Sequence, residues 1–232
     1  MKMSYSNFKF QYIIKRSDRK TFEIRIEPPD LVILKAPKKA KEEEMIEVLK
    51  RKEKWIQNKL DCLKEISCIQ KQYINGENFL YVGKNYSLQI IINPTAKNSV
   101  EMVDKKLIVT MKEKDQKALK DIIVKWYAQK ALEKIVDRIN YFQKYFEVMP
   151  NKITMKNQKT RWGSCSSKRN LNFNFRIIMA PSEVIDYLVV HEMCHLVHMN
   201  HSKQFWELVE SIIPDYKKRR EWLKIHGIEL IL

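Results

Sequence analysis

A chain of 232 residues, 44% hydrophobic and 31% charged, can bury a sizeable core as one domain or two joined lobes, and its composition excludes a disordered chain. The net charge of +16 suits polyanions and makes nucleic acid a candidate partner; acids interspersed with the bases in most segments fit a merely solubilising surface equally well. No run approaches the ~18 apolar residues of a membrane span and Met1 to Ser6 carries no apolar leader, so the expected location is cytoplasmic, away from membranes.

Along the chain, Phe8, Phe10, Tyr12 and Ile14 alternate with polar residues, as do Phe22, Ile24 and Ile26. With a turn at Pro28-Pro29-Asp30 before Leu31 to Leu34, this predicts a small antiparallel meander. From Lys41 to Ile66 the period becomes helical through Met45, Val48, Leu49, Trp55, Ile56, Leu60 and Leu63, with Glu42 to Glu44 in the first turn, where the helix dipole favours acids. Trp55 is expected to pack.

Strand character returns over 73–111. Phe79 to Val82 and Tyr86 to Ile92 flank a hairpin turn at Gly83-Lys84-Asn85, residues 93–105 read as a polar loop, and Leu107, Val109 and Met111 mark a third strand. A long helix follows from Asp115 to Tyr145, its stripe formed by Leu119, Ile122, Ile123, Trp126, Ala131, Ile135, Ile139 and Phe142, with Pro150 as its stop. Strands are expected at 153–155, 160–163 and 172–179, the last entered from a turn around Ser166 to Asn170. Pro181 suits the first position of the next helix, and Gly227 the end of the last, basic one. The expected class is α+β: an N-terminal lobe of antiparallel strands with a helix over 1–113, and a catalytic lobe over 114–232 with a small sheet and a histidine-bearing helix.

That helix carries His191-Glu192-Met193-Cys194-His195, a His-Glu-x-x-His pattern that chance places in roughly one such chain in a hundred. Four-residue spacing stacks the two imidazoles on one helix face, so both nitrogens can reach one Zn²⁺ at about 2.0–2.1 Å. Glu192, roughly 100° further round, flanks the ion without ligating it and is placed to take a proton from water. Val184 and Leu188 extend the stripe to these histidines, and inward imidazoles beside a carboxylate are costly without partners. A tetrahedral site needs a third ligand. His198 continues the same straight helix and converges poorly, whereas Asn200 can take the left-handed conformation that ends helices and turn His201 back. His201 is therefore the expected ligand, with His198 behind the ligands or on the surface.

Of the four cysteines, Cys62, Cys68, Cys165 and Cys194, none shows Cys-x-x-Cys spacing, which fits reduced thiols; Cys194 points off the metal side and reads as a packed residue.

Arg161-Trp162-Gly163-Ser164-Cys165-Ser166, Asn172-Phe173-Asn174-Phe175-Arg176, Ala180-Pro181, Asp186-Tyr187, the His-Glu-x-x-His stretch, His201-Ser202 and Phe205-Trp206 resemble, in that order, the YgjP-like metal-dependent hydrolases, relatives of the SprT-like and WLM zinc peptidases. The likeness runs from about Arg19 to Leu223 and is tightest over 159–222. It implies a zincin-like lobe, one Zn²⁺, a polypeptide substrate, His191, His195 and His201 as ligands, and Glu192 as general base.

Around this centre Tyr187 and Arg161 are both candidates to stabilise an oxyanion. Gly163 permits close approach of another backbone, and an exposed edge there would bind an extended peptide by strand addition. Trp162 reads either as a core residue of a tight turn or, as the resemblance implies, as part of a substrate-side strand. Asn174 and Arg176 line the same cleft or are satisfied polar residues of a half-exposed strand. Two rival readings keep the metal. One is a nucleoside triphosphate pyrophosphatase, weakened by the absence of a glycine-rich phosphate loop; the other is a DNA-associated protein with structural zinc.

Overall fold

A computed structural model of the chain describes residues 8–27, 30–67, 71–158 and 161–232, with 62–67 as backbone. Met1 to Ser6, the Pro28-Pro29 turn, Cys68, the strand start at Thr160 and the side chains of Cys62 and Leu63 lie outside the described residues. The chain divides into two compact units, Met1–Gln70 and Lys71–Leu232. The protein is α+β, with small sheets and, among the described residues, five α-helices.

In the first unit β1 (Tyr12–Ser17), β2 (Glu23–Glu27) and β3 (Leu31–Pro37) form one sheet in the order β1-β3-β2. β3 pairs parallel with β1 and antiparallel with β2, so the expected meander is corrected: the chain crosses from one edge to the other and β3 inserts between them. Val32 and Leu34 point to one face and join the core with Met45, Leu49 and Ile56, while Ile33, on the other face, is only 2% exposed; both faces of β3 are covered, which suits a continuous apolar run. Phe8 and Phe10 precede β1 as a bend. The helix α1 (Glu42–Ser67) keeps its acidic first turn, where Glu44 accepts from the Lys41 N–H at 2.8 Å, and buries Met45, Leu49, Ile56 and Leu60. Trp55 does not pack as expected: it is 44% exposed, off to one side of that stripe.

The second unit opens with a sheet of β4 (Asn78–Tyr81), β5 (Lys84–Ile92), β6 (Ser99–Val103) and β7 (Lys106–Met111), in the order β4-β5-β7-β6. Val82-Gly83 and Asp104-Lys105 all have positive φ, the conformation that two-residue hairpin turns require. Strand β6 falls inside the expected 93–105 loop, and β5 runs parallel to β7 because β6 returns the chain along the outer edge.

The helix α2 (Gln116–Phe142) is capped by the Asp115 carboxylate, which accepts from the Lys117 N–H. Its buried stripe is Leu119, Ile123, Tyr127, Ala131, Ile135, Ile139 and Phe142, with Ile122 and Trp126 at the margin and Tyr127 added to the expected set. A 3-10 turn at Gln143–Tyr145 ends the helical stretch before Pro150 is reached.

The compact units divide at residue 70 and not near 113, for a visible reason. Tyr127 Oη on α2 donates to Leu80 O at 2.7 Å, and the N–H groups of Val82 and Gly83 donate to Ile178 and Met179 carbonyls at 2.8 and 3.0 Å. The 78–111 sheet thus shares a core with the elements that carry the histidines.

Those elements are β8 (Lys152–Lys156), β9 (Gly163–Cys165) and β10 (Asn170–Asn174), in the order β8-β10-β9, followed by α3 (Ser182–Cys194), α4 (Lys203–Ile212) and α5 (Tyr216–His226). The expected strand 172–179 stops at Asn174, whose side chain accepts from the Arg176 N–H and starts a 3-10 turn, Phe175–Met179. Pro181 sits one position earlier than expected, at the N-cap of α3. Gly227 does end α5, with right-handed φ, so its need for glycine lies elsewhere.

Candidate metal centre

Valines, Ile185, Leu188, Met193 and Cys194 surround α3 with apolar contacts, which fixes the helix within the core and with it the rotation of its last turn. A bidentate ion pair adds a lock: Arg138 on α2 donates to Asp186 at 2.6 and 3.2 Å. His191 lies in that last turn and His195 at the C-cap, 9% exposed. Tight turns follow, with Leu196 N–H donating to Met193 O and Val197 and His198 N–H to Cys194 O. The helix therefore ends five residues before Asn200, which has no positive φ; an early stop after His195 turns the chain, in place of the expected left-handed Asn200. Ser202 then caps α4 by accepting from the Phe205 N–H.

This path brings His201 back to the helix. The Nε2 atoms of His191 and His201 are 3.2 Å apart, and the candidate ligand atoms of His191, His195 and His201 all lie within 4.8 Å of one another. Two nitrogens bound tetrahedrally to one zinc at about 2.05 Å stand about 3.3 Å apart, so the spacing fits a shared ion. His195 Nδ1 lies 3.0 Å from the His198 carbonyl, which can only accept; Nδ1 therefore carries the proton and Nε2 keeps its lone pair for a ligand. The His198 side chain is outside the cluster, and its part is played by that carbonyl.

Phe205, fully buried, supports the trio: its ring stacks on His195 at 4.5 Å and meets His191 and His201 edge-on at 5.0 and 4.8 Å. Burial, then the neighbouring imidazoles, pushes the His191 pKa down to about 3, and burial lowers His195 and His201 as well. Neutral rings with free lone pairs are what a divalent ion needs.

Glu192 is 3% exposed, its Oε2 has no hydrogen-bond partner, and burial pushes its pKa up to about 8. It lies against Gly163 so closely that a Cβ there would stand 2.4 Å from Oε1. Gly163 is expected to admit another backbone; the group that lies against it here is the Glu192 side chain. β9, which begins at Gly163, is the edge of its sheet.

A pocket of ≈ 320 Å³ opens beside these groups, lined by Arg161, Trp162, Gly163, Tyr187, Leu188, His191, Glu192, Arg220, Leu223 and Lys224. Trp162 is half-buried there and rests on Gly227, where a Cβ would come within 2.9 Å of the indole; this contact explains the glycine. Burial raises the Tyr187 hydroxyl to about 12, so it stays a proton-bearing donor. Asn174 is corrected: it is 4% exposed and off the pocket, and its Nδ2 donates to Gln158 O at 2.8 Å while its N–H donates to Trp162 O at 2.7 Å. It holds the backbone of Gln158 and of Trp162 from behind. Arg176 is likewise absent from the lining.

Sequence reasoning missed Leu188 and the whole contribution of α5. The signal was the spacing of Arg220, Leu223 and Lys224, three and four residues apart and so on one helix face. Cys194 is buried as expected, and Cys194 and Cys165 are both free thiols. Among the described residues no helix is long and apolar enough to cross a membrane.

Three imidazoles converging beside a carboxylate are a donor set suited to a metal-dependent hydrolase. The family model of the YgjP-like metallopeptidase domain matches residues 20–226, and the chain belongs to that family. No curated protein gives a significant match to the chain. Membership makes the protein a metallopeptidase-domain protein, with a metal ion as cofactor and a polypeptide as the implied substrate.

Proposed function

We propose that the protein is a zinc-dependent metallopeptidase of zincin-like layout, in which His191, His195 and His201 hold one Zn²⁺ and Glu192 is the general base. The observation that carries this reading is the juxtaposition of a 3.2 Å Nε2–Nε2 pair with a buried carboxylate pressed on the edge strand β9. When bound, the ion supplies Lewis acidity toward water and a carbonyl, and positive charge that draws Glu192 back to its ionised form.

An extended peptide pairs with the free edge of β9, which brings its backbone past Gly163 and so past Glu192. Glu192 takes a proton from the attacking water and passes it to the departing amine. Tyr187 and Arg161, both lining the pocket, are the donors available to the developing oxyanion. The nucleotide pyrophosphatase alternative is not favoured, because the family is a peptidase family and the edge strand offers a polypeptide its backbone partners. The basic surface remains suited to nucleic acid by charge alone, and a cytoplasmic location agrees with the free Cys165 and Cys194.

The test is to incubate zinc-loaded protein with an unfolded polypeptide and, separately, with nucleoside triphosphates. Polypeptide fragments are expected, and Glu192→Gln should lower their formation by about 10²–10⁴-fold at unchanged metal content. Pyrophosphate release without proteolysis contradicts the proposal.

A further inference from the structure

We infer that the pocket beside the histidine cluster is a carboxylate subsite, in which Arg220 and Arg161 receive an anionic group of the substrate peptide. This deepens the peptidase reading and rests on it for the nature of the substrate. Three cations line the pocket, Arg161, Arg220 and Lys224, and its one acid, Glu192, is turned into the core against Gly163. Lys224 is already occupied, donating to Glu221 at 3.0 Å. Arg161 and Arg220 are not: among the described residues neither side chain makes an ion pair or a hydrogen bond.

Arg220 is nonetheless held in place. Its guanidinium lies 4.7 Å from the ring centre of Trp206, and Trp206 stacks on His201 at 5.5 Å with the planes 22° apart. A fixed, unpaired positive charge is thereby stationed next to the side chains that would hold a divalent cation. Like charges gathered at one place repel, and the arrangement becomes favourable when an anion arrives between them. The planar fork of a guanidinium matches a carboxylate with two parallel hydrogen bonds. Trp162, Leu188 and Leu223 supply an apolar wall for the methylene stem of such a group, and ≈ 320 Å³ is room for a side chain or a chain end.

Phosphate is the rival anion, and the helix directions argue against it. Tyr187, Leu188, His191 and Glu192 run from the middle of α3 to its last turn, and Arg220, Leu223 and Lys224 lie in the middle of α5 and beyond. The C-terminal turn of α3, the negative end of its dipole, lies on the pocket side and the first turn of neither helix lines the pocket, whereas phosphate sites use helix N-termini and their free N–H groups. A single carboxylate charge, met by two guanidiniums, tolerates this better than a dianion.

The carboxylate has two sources, an Asp or Glu side chain or the C-terminus of the peptide, and one experiment separates them. The full-length, zinc-loaded Glu192→Gln protein is titrated by tryptophan fluorescence with four peptides of one sequence: Glu or Gln at one position, each with a free or amidated C-terminus. Peptides with the recognised carboxylate should bind on the order of tenfold more tightly than their neutral twins. Loss of the difference on Glu-to-Gln exchange assigns the side chain, and loss on amidation assigns the terminus. Arg220→Gln should bring the twins to parity and Arg220→Lys should retain part of the preference. Equal affinities for charged and neutral twins overturn the subsite, as does a preference that survives Arg220→Gln combined with Arg161→Gln. Inorganic pyrophosphate that competes more strongly than the acidic peptide overturns the carboxylate assignment. Cleavage of the same peptides by wild-type protein distinguishes the two levels. Cleavage without charge preference defeats the subsite alone, and charge-dependent binding with no cleavage of any peptide defeats the peptidase reading alone.

Discussion

The first unit buries Tyr12, Val32, Leu34, Met45, Leu49, Ile56 and their neighbours, an apolar set gathered between one sheet and one helix, while the second buries a larger apolar core and with it Asn174, Glu192 and His195. Among the described residues these three are the buried polar or charged side chains, and all belong to the second unit. Asn174 is satisfied by the Gln158 carbonyl and the Arg176 N–H, and His195 by the His198 carbonyl. Glu192 keeps one oxygen without a partner, and so does the Nδ1 of His191. The first unit has unpartnered atoms of this kind in the Tyr12 hydroxyl, Arg19 Nε and Gln57 Oε1, but among the described residues no buried group that titrates near neutral pH. Burying an unpaired polar group costs on the order of 1–3 kcal/mol, so the second unit carries a cost at the one place where a cation and a water would make use of it. The difference separates a unit held together by packing from one whose packing holds chemistry in position.

Substitutions in the two units should therefore fail in different ways. The largest stability effect is expected in the first unit: Leu49→Ala should cost about 2–5 kcal/mol in denaturant unfolding, while the folded protein keeps its metal. A fall in metal content of that folded variant would break the comparison. Gly163→Ala should cost about 1–3 kcal/mol, because the new methyl must displace Glu192. Its peptidase activity should fall far more than its stability, at unchanged metal stoichiometry; full activity would mean that the carboxylate need not sit where it does. The smallest effect belongs to Trp55→Ala, expected to change stability by no more than about 0.5 kcal/mol, since the ring is 44% exposed. A loss of several kcal/mol would show that Trp55 packs as its helical spacing foretold.

Much of the centre was readable because its chemistry is local in the chain. His191 and His195 are placed by helix geometry alone, and His201 needs only a turn within a few residues. Features that depend on distant partners were not readable. The parallel pairing of β1 with β3 is decided by which edge the chain crosses to, and alternation looks the same in either arrangement. Strand β6 was hidden by the polar residues before it, although Val100 and Met102 alternate with their neighbours and pack on the core. The compact units divide at residue 70 because Val82, Gly83 and Tyr127 make bonds whose partners lie up to 96 residues away in sequence, as from Val82 to Ile178, which a reading of local pattern does not see. Asn174 read equally as a cleft residue or as a satisfied polar residue, and only the positions of the Gln158 and Trp162 backbone favour the second. Arg220 shares a helix face with Leu223 and Lys224, but within the run Lys217, Lys218, Arg219 and Arg220 that spacing does not say which face meets the pocket.

The central claim, that three imidazoles share one divalent ion, is tested most directly by metal analysis of purified wild-type protein beside the single alanine variants of His191, His195, His201 and His198. The expected result is one zinc per wild-type chain, loss of the metal in the first three variants, and full retention in His198→Ala, which keeps the backbone carbonyl that orients His195. Stoichiometric metal in the His201 variant together with its loss in the His198 variant would contradict the account.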